Sequence, residues 1–289
     1  MGVSNFQKRN SFYLKIIALL STIRWKNIVV TVLAQYLAFL FAFNTKTEIW
    51  SSIIEINVHL IIVSTAFILA GGYIINNFYD LEKDLINRPY RTRFQNLISD
   101  GFKLKFYFLL NIIGLLIAFI ASWRIFVFFI IYGFLLWLYS HKLSKMVFVR
   151  ELSACFLTVL AFFSLALYFK MITPTFVIYG SSLFLALFAR ELYKDIIWLK
   201  GDVVHGYESI ASAMGIKFSK LIFQIILLSS ILIDLRFNFY MPKEELFYMM
   251  ATMGVLKIGL IFLIGMNTQP IHRIMQLLIM LYILGIIWL

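Results

Sequence analysis

Apolar residues occur in long runs along this chain, and most polar residues are confined to the short segments between the runs. A helix needs about 20 mainly apolar residues to cross a bilayer, because each residue advances it by about 1.5 Å. Nine runs approach that length, and they predict nine membrane-spanning helices. The runs cover residues 27–44, 58–76, 104–122, 124–140, 152–169, 174–193, 218–235, 246–266 and 271–288.

The composition also indicates a membrane protein. Hydrophobic residues make up 62% of the 289 residues and charged residues only 14%, whereas a soluble domain has about 25% charged residues. A soluble fold of this length would expose a large surface to water, and so few charges could not cover that surface. The predicted fold class is all-α, a polytopic membrane protein in which residues 1–289 form one domain of nine transmembrane helices.

The net charge of +12 follows the predicted topology. If the N-terminus is cytoplasmic, twenty of the 26 Lys and Arg residues fall on cytoplasmic segments and five on the opposite side. Cytoplasmic loops of membrane proteins accumulate Lys and Arg, so this bias predicts a cytoplasmic N-terminus and an outside C-terminus. It also accounts for the positive charge without a nucleic-acid partner. We expect a bacterial inner membrane and no protein partner.

The acidic residues are concentrated in two places. Eight of the fourteen follow the second and sixth runs, on the cytoplasmic side: Asp80, Glu82, Asp84, Asp100, Glu191, Asp195, Asp202 and Glu208. On a helix that turns about 100° per residue, two stripes form. The first stripe lies within an arc of about 100° and consists of Asn76, Asn77, Asp80 and Asp84. The second lies within about 40° and consists of Glu191, Asp195 and Asp202.

Such stripes need a compensating charge. Like charges four residues apart destabilise a helix, and carboxylates near a membrane cost more. Hard divalent cations such as Mg²⁺ bind oxygen ligands, and Mg²⁺ commonly combines one or two carboxylates with substrate phosphates. Two stripes that face each other across a cavity would hold a diphosphate between metal ions. The alternative is a pair of solvated helices with ordinary surface acids.

Basic and hydroxyl groups near the stripes fit an anionic ligand. Arg88 and Arg91 follow Asp84 within two helical turns, and the guanidinium group binds phosphate through two parallel hydrogen bonds. Tyr139 and Lys142 end the fourth run on the same side, where they could contact an oxyanion. The alternative for these groups is the general cytoplasmic excess of basic residues, with an interfacial tyrosine and extended lysines.

These motifs resemble those of the UbiA superfamily of intramembrane prenyltransferases. That family has nine transmembrane helices and two aspartate-rich motifs, which lie in the cytosolic loops after helices two and six. The similarity extends over the whole chain. The family's first motif matches this chain at Asn76, Asp80 and Asp84, followed by Asn87, Arg88 and Pro89. The family's second motif matches at Lys194, Asp195, Gly201 and Asp202. Further matches are Arg24, Asn27 and the segment Tyr139, Ser140 and Leu143.

The resemblance implies Mg²⁺-dependent transfer of a polyprenyl group from a prenyl diphosphate to a membrane-associated acceptor. That acceptor would be a lipid, a glycerol phosphate or an aromatic quinone precursor. The stretch before the first motif is most similar to bacterial geranylgeranylglycerol-phosphate geranylgeranyltransferases. The implied catalytic residues and metal ligands are Asp80, Asp84, Asp195 and Asp202. The implied substrate-binding residues are Arg24, Asn27, Asn76, Asn77, Arg88, Arg91, Tyr139, Lys142, Glu191 and Lys194.

Three positions depart from the family pattern. Asn77 replaces an Asp of the first motif, Trp198 replaces the middle Asp of the second, and Arg150-Glu151 stands near the usual Gly-Asn pair. Asn77 retains an oxygen ligand, whereas an indole offers none. One alternative is therefore a weakened or inactive relative that binds isoprenoid diphosphates or a partner. A third alternative is a transporter. A transporter would need polar groups in mid-membrane, and Lys257 is the main charge within an apolar run.

Overall fold

The computed structural model describes residues 2–43, 55–204, 208–240, 244–265 and 269–289, and these residues are almost entirely helical. In chain order the helices are α1 (Gly2–Thr22), α2 (Trp25–Leu37, continued by a π-helix, Ala38–Phe43), α3 (Ile56–Tyr79), α4 (Leu81–Asn87), α5 (Pro89–Gln95), α6 (Asp100–Ala121), α7 (Trp123–His141), α8 (Val149–Phe169), α9 (Pro174–Val204), α10 (Ile210–Met214), α11 (Ile216–Tyr240), α12 (Glu244–Leu263) and α13 (Gln269–Gly285).

Within the described ranges, nine helices are long and apolar enough to cross a membrane. They are α2 with its π-helical extension, α3, α6, α7, α8, α9, α11, α12 and α13, and they confirm the nine predicted spans. Helix α9 differs from its prediction because it continues to Val204, past the expected end at residue 193. The ends of two predicted spans, at residues 44 and 266, and the charges of Lys46 and Lys243 lie outside the described residues.

Many large apolar side chains of the spanning helices are exposed. Ile120 of α6 is 70% exposed, Phe134 of α7 is 56% exposed and Phe262 of α12 is 77% exposed. In water such faces would cause aggregation, whereas lipid chains are as apolar as the side chains themselves. The outer faces of these helices therefore fit a hydrocarbon solvent.

The chain divides into two compact units, and the single domain predicted for residues 1–289 stays a prediction. The first unit comprises Met1–Val32 and Ile56–Lys142. Helix α3 is the central helix of this unit, since 67% of the residues in the most apolar stretch of the helix are buried. Gly114 of α6 allows a close approach to α3, because a Cβ there would lie 3.0 Å from Ile68 Cδ1. Small residues at helix crossings are the usual packing solution in membranes.

The second unit comprises Leu33–Glu55 and Leu143–Leu289. A buried polar cluster joins four of its helices through Ser182 of α9, Ser230 and Asp234 of α11, Lys257 of α12 and Tyr282 of α13. Lys257 Nζ forms an ion pair with Asp234 and donates hydrogen bonds to Ser230 Oγ at 2.8 Å and Tyr282 Oη at 2.7 Å. Polar groups inside a membrane must satisfy one another, and this cluster does so across four helices.

Candidate functional site

The first aspartate motif lies where α3 ends. Asp80 occupies a single turn residue between α3 and α4, and its backbone carbonyl accepts a hydrogen bond from Asp84 N at 2.9 Å. Arg88, with φ of −144°, separates α4 from α5, and Pro89 occupies the first turn of α5. Proline suits that position because its missing N–H would have no partner within the helix. The turn at Asp80 and the break at Arg88 therefore place the motif and the following arginines in one short segment.

The Asp80 carboxylate is buried and has a free acceptor position. Its residue is 9% exposed. Oδ2 accepts a hydrogen bond from Asn76 Nδ2 at 3.0 Å, which confirms that Asn76 and Asp80 share a face. Oδ1 lies 4.0 Å from Lys83 Nζ and accepts no hydrogen bond from any described residue. A buried oxygen in this state is costly unless a ligand or cation binds it.

Arg24 is fixed against the same motif from the turn between α1 and α2. Its φ of 52° lies in the left-handed region, which is costly for a residue with a Cβ. Its Nη2 donates to Asn76 Oδ1 at 3.3 Å, and its guanidinium lies 5.3 Å from the centre of the Tyr73 ring. Asn27 Nδ2 donates to Tyr73 Oη at 3.5 Å. The structure thus brings both predicted residues, Arg24 and Asn27, next to α3.

Asn77 turns away from Asp80 towards α5. Its Nδ2 donates to Gln95 Oε1 at 3.1 Å, and Gln95 Nε2 in turn donates to Ser21 O at 3.0 Å. Asn77 Oδ1 is buried and accepts no hydrogen bond from the described residues. The amide therefore ties α3, α5 and α1 together, a structural role that the sequence did not indicate.

Arg91 is a partly buried cation beside the first motif. Its Nη2 donates to Ser21 O at 3.2 Å. Burial lowers the pKa of the Arg91 guanidinium, the nearby charge of Arg24 lowers it further, and Asp84 opposes both effects. Arginine stays protonated in proteins, so the consequence is a pair of repelling cations that an anion would stabilise.

The end of α7 reaches the end of α3. The Tyr79 and His141 rings meet edge to face, with centroids 5.3 Å apart, and the His141 ring also stacks on Trp137. Tyr139 is half-buried and Lys142 is exposed just after α7. The predicted residues at the end of the fourth span therefore lie at the same end of the first unit as Asp80.

The second motif, in the second unit, has a different arrangement. The Arg150 guanidinium of α8 bridges two carboxylates of α9, with Nη2 2.8 Å from Asp195 Oδ1 and Nη1 2.9 Å from Asp202 Oδ2. Asp195 is 2% exposed and Asp202 fully buried. The predicted stripe on one face of α9 is real, but an arginine already binds both of its aspartates.

The remaining charges of the second motif are paired locally. Lys194 Nζ forms an ion pair with Glu191 and lies 5.4 Å from the centre of the Trp198 ring. Glu151 is buried, and its Oε1 accepts a hydrogen bond from Ile210 N at 3.3 Å. Glu191 and Lys194 were predicted to contact substrate, and the structure gives each of them a partner on α9 itself.

Both motifs contain buried carboxylate oxygens that could bind Mg²⁺. Over the described part of the chain, no three His, Cys, Asp or Glu side chains are gathered in a way that could hold a metal ion. Mg²⁺ needs only one or two carboxylates when substrate phosphates and water complete its shell. The free buried Oδ1 of Asp80, with Asp84 one turn later, meets that requirement. At the second motif Arg150 binds one oxygen of each aspartate, and the other oxygens, Asp195 Oδ2 and Asp202 Oδ1, are buried and accept no hydrogen bond from the described residues.

An apolar cavity of about 390 Å³ lies within the second unit. Its walls come from α8, α9, α11, α13 and the π-helix after α2, and they include Phe156, Phe163, Phe184, Ile233 and Tyr282. The volume is in the range of about 300–1,000 Å³ that is common for sites of small molecules. The sequence reasoning missed this cavity, because its walls combine residues from five helical segments with no shared pattern.

Similar proteins share both sequence and fold with this chain. A digeranylgeranylglyceryl phosphate synthase of Sulfurisphaera tokodaii is 26% identical over 219 residues, which cover 72% of this chain and 75% of that protein. The digeranylgeranylglyceryl phosphate synthase of Sulfolobus acidocaldarius is 29% identical over 210 residues, covering 73% and 74% of the two chains.

Solved structures with the same fold cover nearly the whole chain. A structure described as digeranylgeranylglyceryl phosphate synthase in membranes has a TM-score of 0.70 and 22% identity, covering 95% of this chain and 99% of that one. A UbiA homologue from Archaeoglobus fulgidus bound to GPP and Mg²⁺ has a TM-score of 0.70 and 15% identity, covering 94% and 100%. The model of the UbiA prenyltransferase family matches residues 28–283. This chain is therefore an integral membrane protein that belongs to the UbiA prenyltransferase family.

Proposed function

We propose that this chain transfers a prenyl group from a prenyl diphosphate to a glycerol-phosphate lipid within the membrane. The observation that carries this proposal is the buried Asp80 oxygen without a hydrogen bond, next to fixed arginines. The acceptor class is supported by the relatives named digeranylgeranylglyceryl phosphate synthase, because that name describes a glycerol phosphate carrying two prenyl groups.

The arginines of the first unit would bind the diphosphate. Arg24 and Arg91 repel each other electrostatically, and the approach of an anion removes that repulsion. Arg88 lies half-buried in the break between α4 and α5, one turn after Asp84. Donors held in place before the substrate binds need little reorganisation, so they stabilise the negative charge that develops on the leaving group.

Asp80 and Asp84 would hold a Mg²⁺ ion. When bound, Mg²⁺ neutralises charge on the diphosphate and so favours its departure. Asn76 prepares the site, because its amide binds Oδ2 of Asp80 and leaves Oδ1 available. Support for the metal also comes from the UbiA homologue bound to GPP and Mg²⁺.

The acceptor's phosphate would bind at another place in the first unit. Tyr139 and Lys142, at the end of α7, would contact the acceptor's phosphate, because a phenol and an ammonium both donate hydrogen bonds to phosphate oxygens.

Trp198 favours a second candidate function. Where the family motif has a metal ligand, this chain has an indole that lies against Lys194. A relative that binds prenyl diphosphates without turnover would have such a substitution. The two candidates differ in product formation and not in substrate binding.

The decisive experiment is an assay of the purified full chain in lipid nanodiscs with radiolabelled geranylgeranyl diphosphate and Mg²⁺. We expect a labelled product with geranylgeranylglyceryl phosphate and at least about tenfold less with 4-hydroxybenzoate. An excess of EDTA should stop the reaction, and added Mg²⁺ should restore it. Binding of the donor without product from either acceptor would contradict the proposed function and support the second candidate.

We also propose that the site faces the cytoplasm, with the C-terminus outside. The only cysteine, Cys155, is buried and should not react with a membrane-impermeant maleimide. In intact cells we expect the reagent to label an Arg124→Cys variant and to spare Glu82→Cys, because these exposed residues belong to opposite ends of the spans. In opened membranes both should react. The reverse pattern in intact cells would contradict the orientation.

A further inference from the structure

The carbonyl oxygen of Ser21, near the end of α1, accepts hydrogen bonds from three donors. They are the backbone N–H of Arg24 at 3.3 Å, Arg91 Nη2 at 3.2 Å and Gln95 Nε2 at 3.0 Å. The last carbonyls of a helix have no partners within the helix, so donors from elsewhere determine how the chain leaves it. Two side chains of α5 therefore hold the turn that carries Arg24.

This turn keeps Arg24 in an unfavourable backbone conformation. Its φ of 52° is costly for a residue with a Cβ, and such a conformation persists only where the surrounding contacts impose it. From this turn the Arg24 guanidinium donates to Asn76 Oδ1, and Asn76 Nδ2 donates to Asp80 Oδ2. The contacts at Ser21 thus continue through Arg24 and Asn76 to the carboxylate of the first motif.

Asn77 determines which end of the Gln95 amide faces Ser21. Gln95 is 3% exposed, and its amide has one accepting and one donating end. Asn77 Nδ2 donates to Gln95 Oε1 at 3.1 Å, which leaves Nε2 to donate to Ser21 O and, at 3.2 Å, to Ser21 Oγ. An aspartate at position 77 has only acceptors, so it would attract Nε2 and turn Oε1 towards the Ser21 carbonyl. Two acceptors would then face each other, and the bond to Ser21 would be lost.

We propose that Asn77 and Gln95 form an amide pair that positions Arg24 for the diphosphate, so that this chain requires asparagine at position 77. This inference rests on the proposed function, in which Arg24 binds the diphosphate. The amide pair acts on the substrate only through Arg24, so Asn77 and Gln95 are positioning residues. A metal ligand at position 77 would behave in the opposite way, because a change to aspartate would add charge and strengthen metal binding.

The test measures the dissociation constant of geranyl thiolodiphosphate, a donor analogue in which sulfur replaces the bridging oxygen and cleavage is slow. The purified full chain is held in nanodiscs with Mg²⁺. We expect Asn77→Asp to weaken binding about tenfold, a loss common for residues that orient a ligand-binding group. Gln95→Met keeps the length of the side chain, adds no charge and should weaken binding to a similar extent. Equal or tighter binding in Asn77→Asp would overturn the proposal and favour a metal ligand.

An Arg24→Ala background distinguishes positioning from general damage. Arg24→Ala should itself weaken binding, and adding Asn77→Asp or Gln95→Met to it should change the dissociation constant by less than about twofold, because no guanidinium remains to be positioned. Losses that multiply in the double variants would show a purely structural or charge effect and would overturn the proposal.

Ser64→Ala is the matched control. It removes a buried hydrogen bond within the same unit, from Ser64 Oγ of α3 to Gly114 O of α6 at 2.6 Å. Ser64 lies more than three helical turns before Asn77, so the dissociation constant should stay within about twofold of the wild type. A tenfold loss in this control as well would show that any buried hydrogen bond of the unit matters, and would overturn the proposal.

Product formation tests the proposed function separately. If the wild type binds the analogue but forms no product from the natural donor, the proposed function fails, and the dissociation constants still decide the role of the amide pair. If the wild type does not bind the analogue, both proposals fail. Asn77→Asp and Gln95→Met change different helices, so either one decides the question if the other does not fold.

Discussion

Replacing Asp80 by asparagine should lower the rate of prenyl transfer by at least about 100- to 1,000-fold, the loss typical when one fixed charge-stabilising group is removed from an active site. Asparagine has the same shape as aspartate, and its oxygen can still accept the hydrogen bond from Asn76 Nδ2. The fold should therefore survive, while the buried negative charge that would hold Mg²⁺ is lost. The rate is measured with labelled donor in nanodiscs, at saturating Mg²⁺.

Glu82 provides the matched control for this substitution. It lies on α4, between Asp80 and Asp84 in the sequence, and its side chain is exposed. We expect Glu82→Gln to keep the rate within about twofold, because screening weakens the effect of an exposed charge. Equal losses in Asp80→Asn and Glu82→Gln would show that the general charge of the segment matters, and they would contradict a specific role for Asp80.

The helices and the motifs were predictable because both depend on residues that are close together in the sequence. The length of an apolar run determines whether a helix can cross the membrane, so all nine spans could be predicted from the sequence. The contact between Asn76 and Asp80 follows from their spacing of four residues, which places both on one helical face. The ends of the helices were harder, and α9 runs to Val204 because its polar end stays helical beyond the membrane-length run.

The partners of the charged groups were not predictable in the same way. Arg150 stands more than forty residues before Asp195 in the sequence, and only the packing of α8 against α9 brings them together. The signal in the sequence was the joint appearance of Trp198 without an acid and of Arg150 near an unexpected position.

Lys257 illustrates the same limit within the membrane. In the sequence Lys257 stands alone as a charge in an apolar run, and nothing nearby indicates its partner. The partner, Asp234, belongs to a different helix. The pair stands within spans α11 and α12, where neither charge can reach water. An acid and a base at matching depths in neighbouring spans were the available signal, but the depth of each depends on helix packing and not on the sequence alone.

Replacing Lys257 by methionine should lower the free energy of unfolding by about 3–5 kcal/mol, because it leaves the Asp234 carboxylate buried without its cation. Methionine has nearly the same length and keeps the apolar stem, so packing loss contributes little. The free energy is measured by titrating micelles of the protein with SDS and following tryptophan fluorescence. Lys217→Met is the control, since Lys217 is exposed and should change stability by less than about 0.5 kcal/mol.

A double variant, Lys257→Met with Asp234→Leu, distinguishes the lost ion pair from other damage. Removing both charges together should recover most of the stability lost in Lys257→Met, because a buried pair replaced by apolar groups is often neutral. Ser182, Ser230 and Tyr282 can then hydrogen-bond one another, as Ser182 already does with both other hydroxyls. If the double variant is as unstable as Lys257→Met, the cost comes from the cluster's hydrogen bonds and not from the unpaired carboxylate.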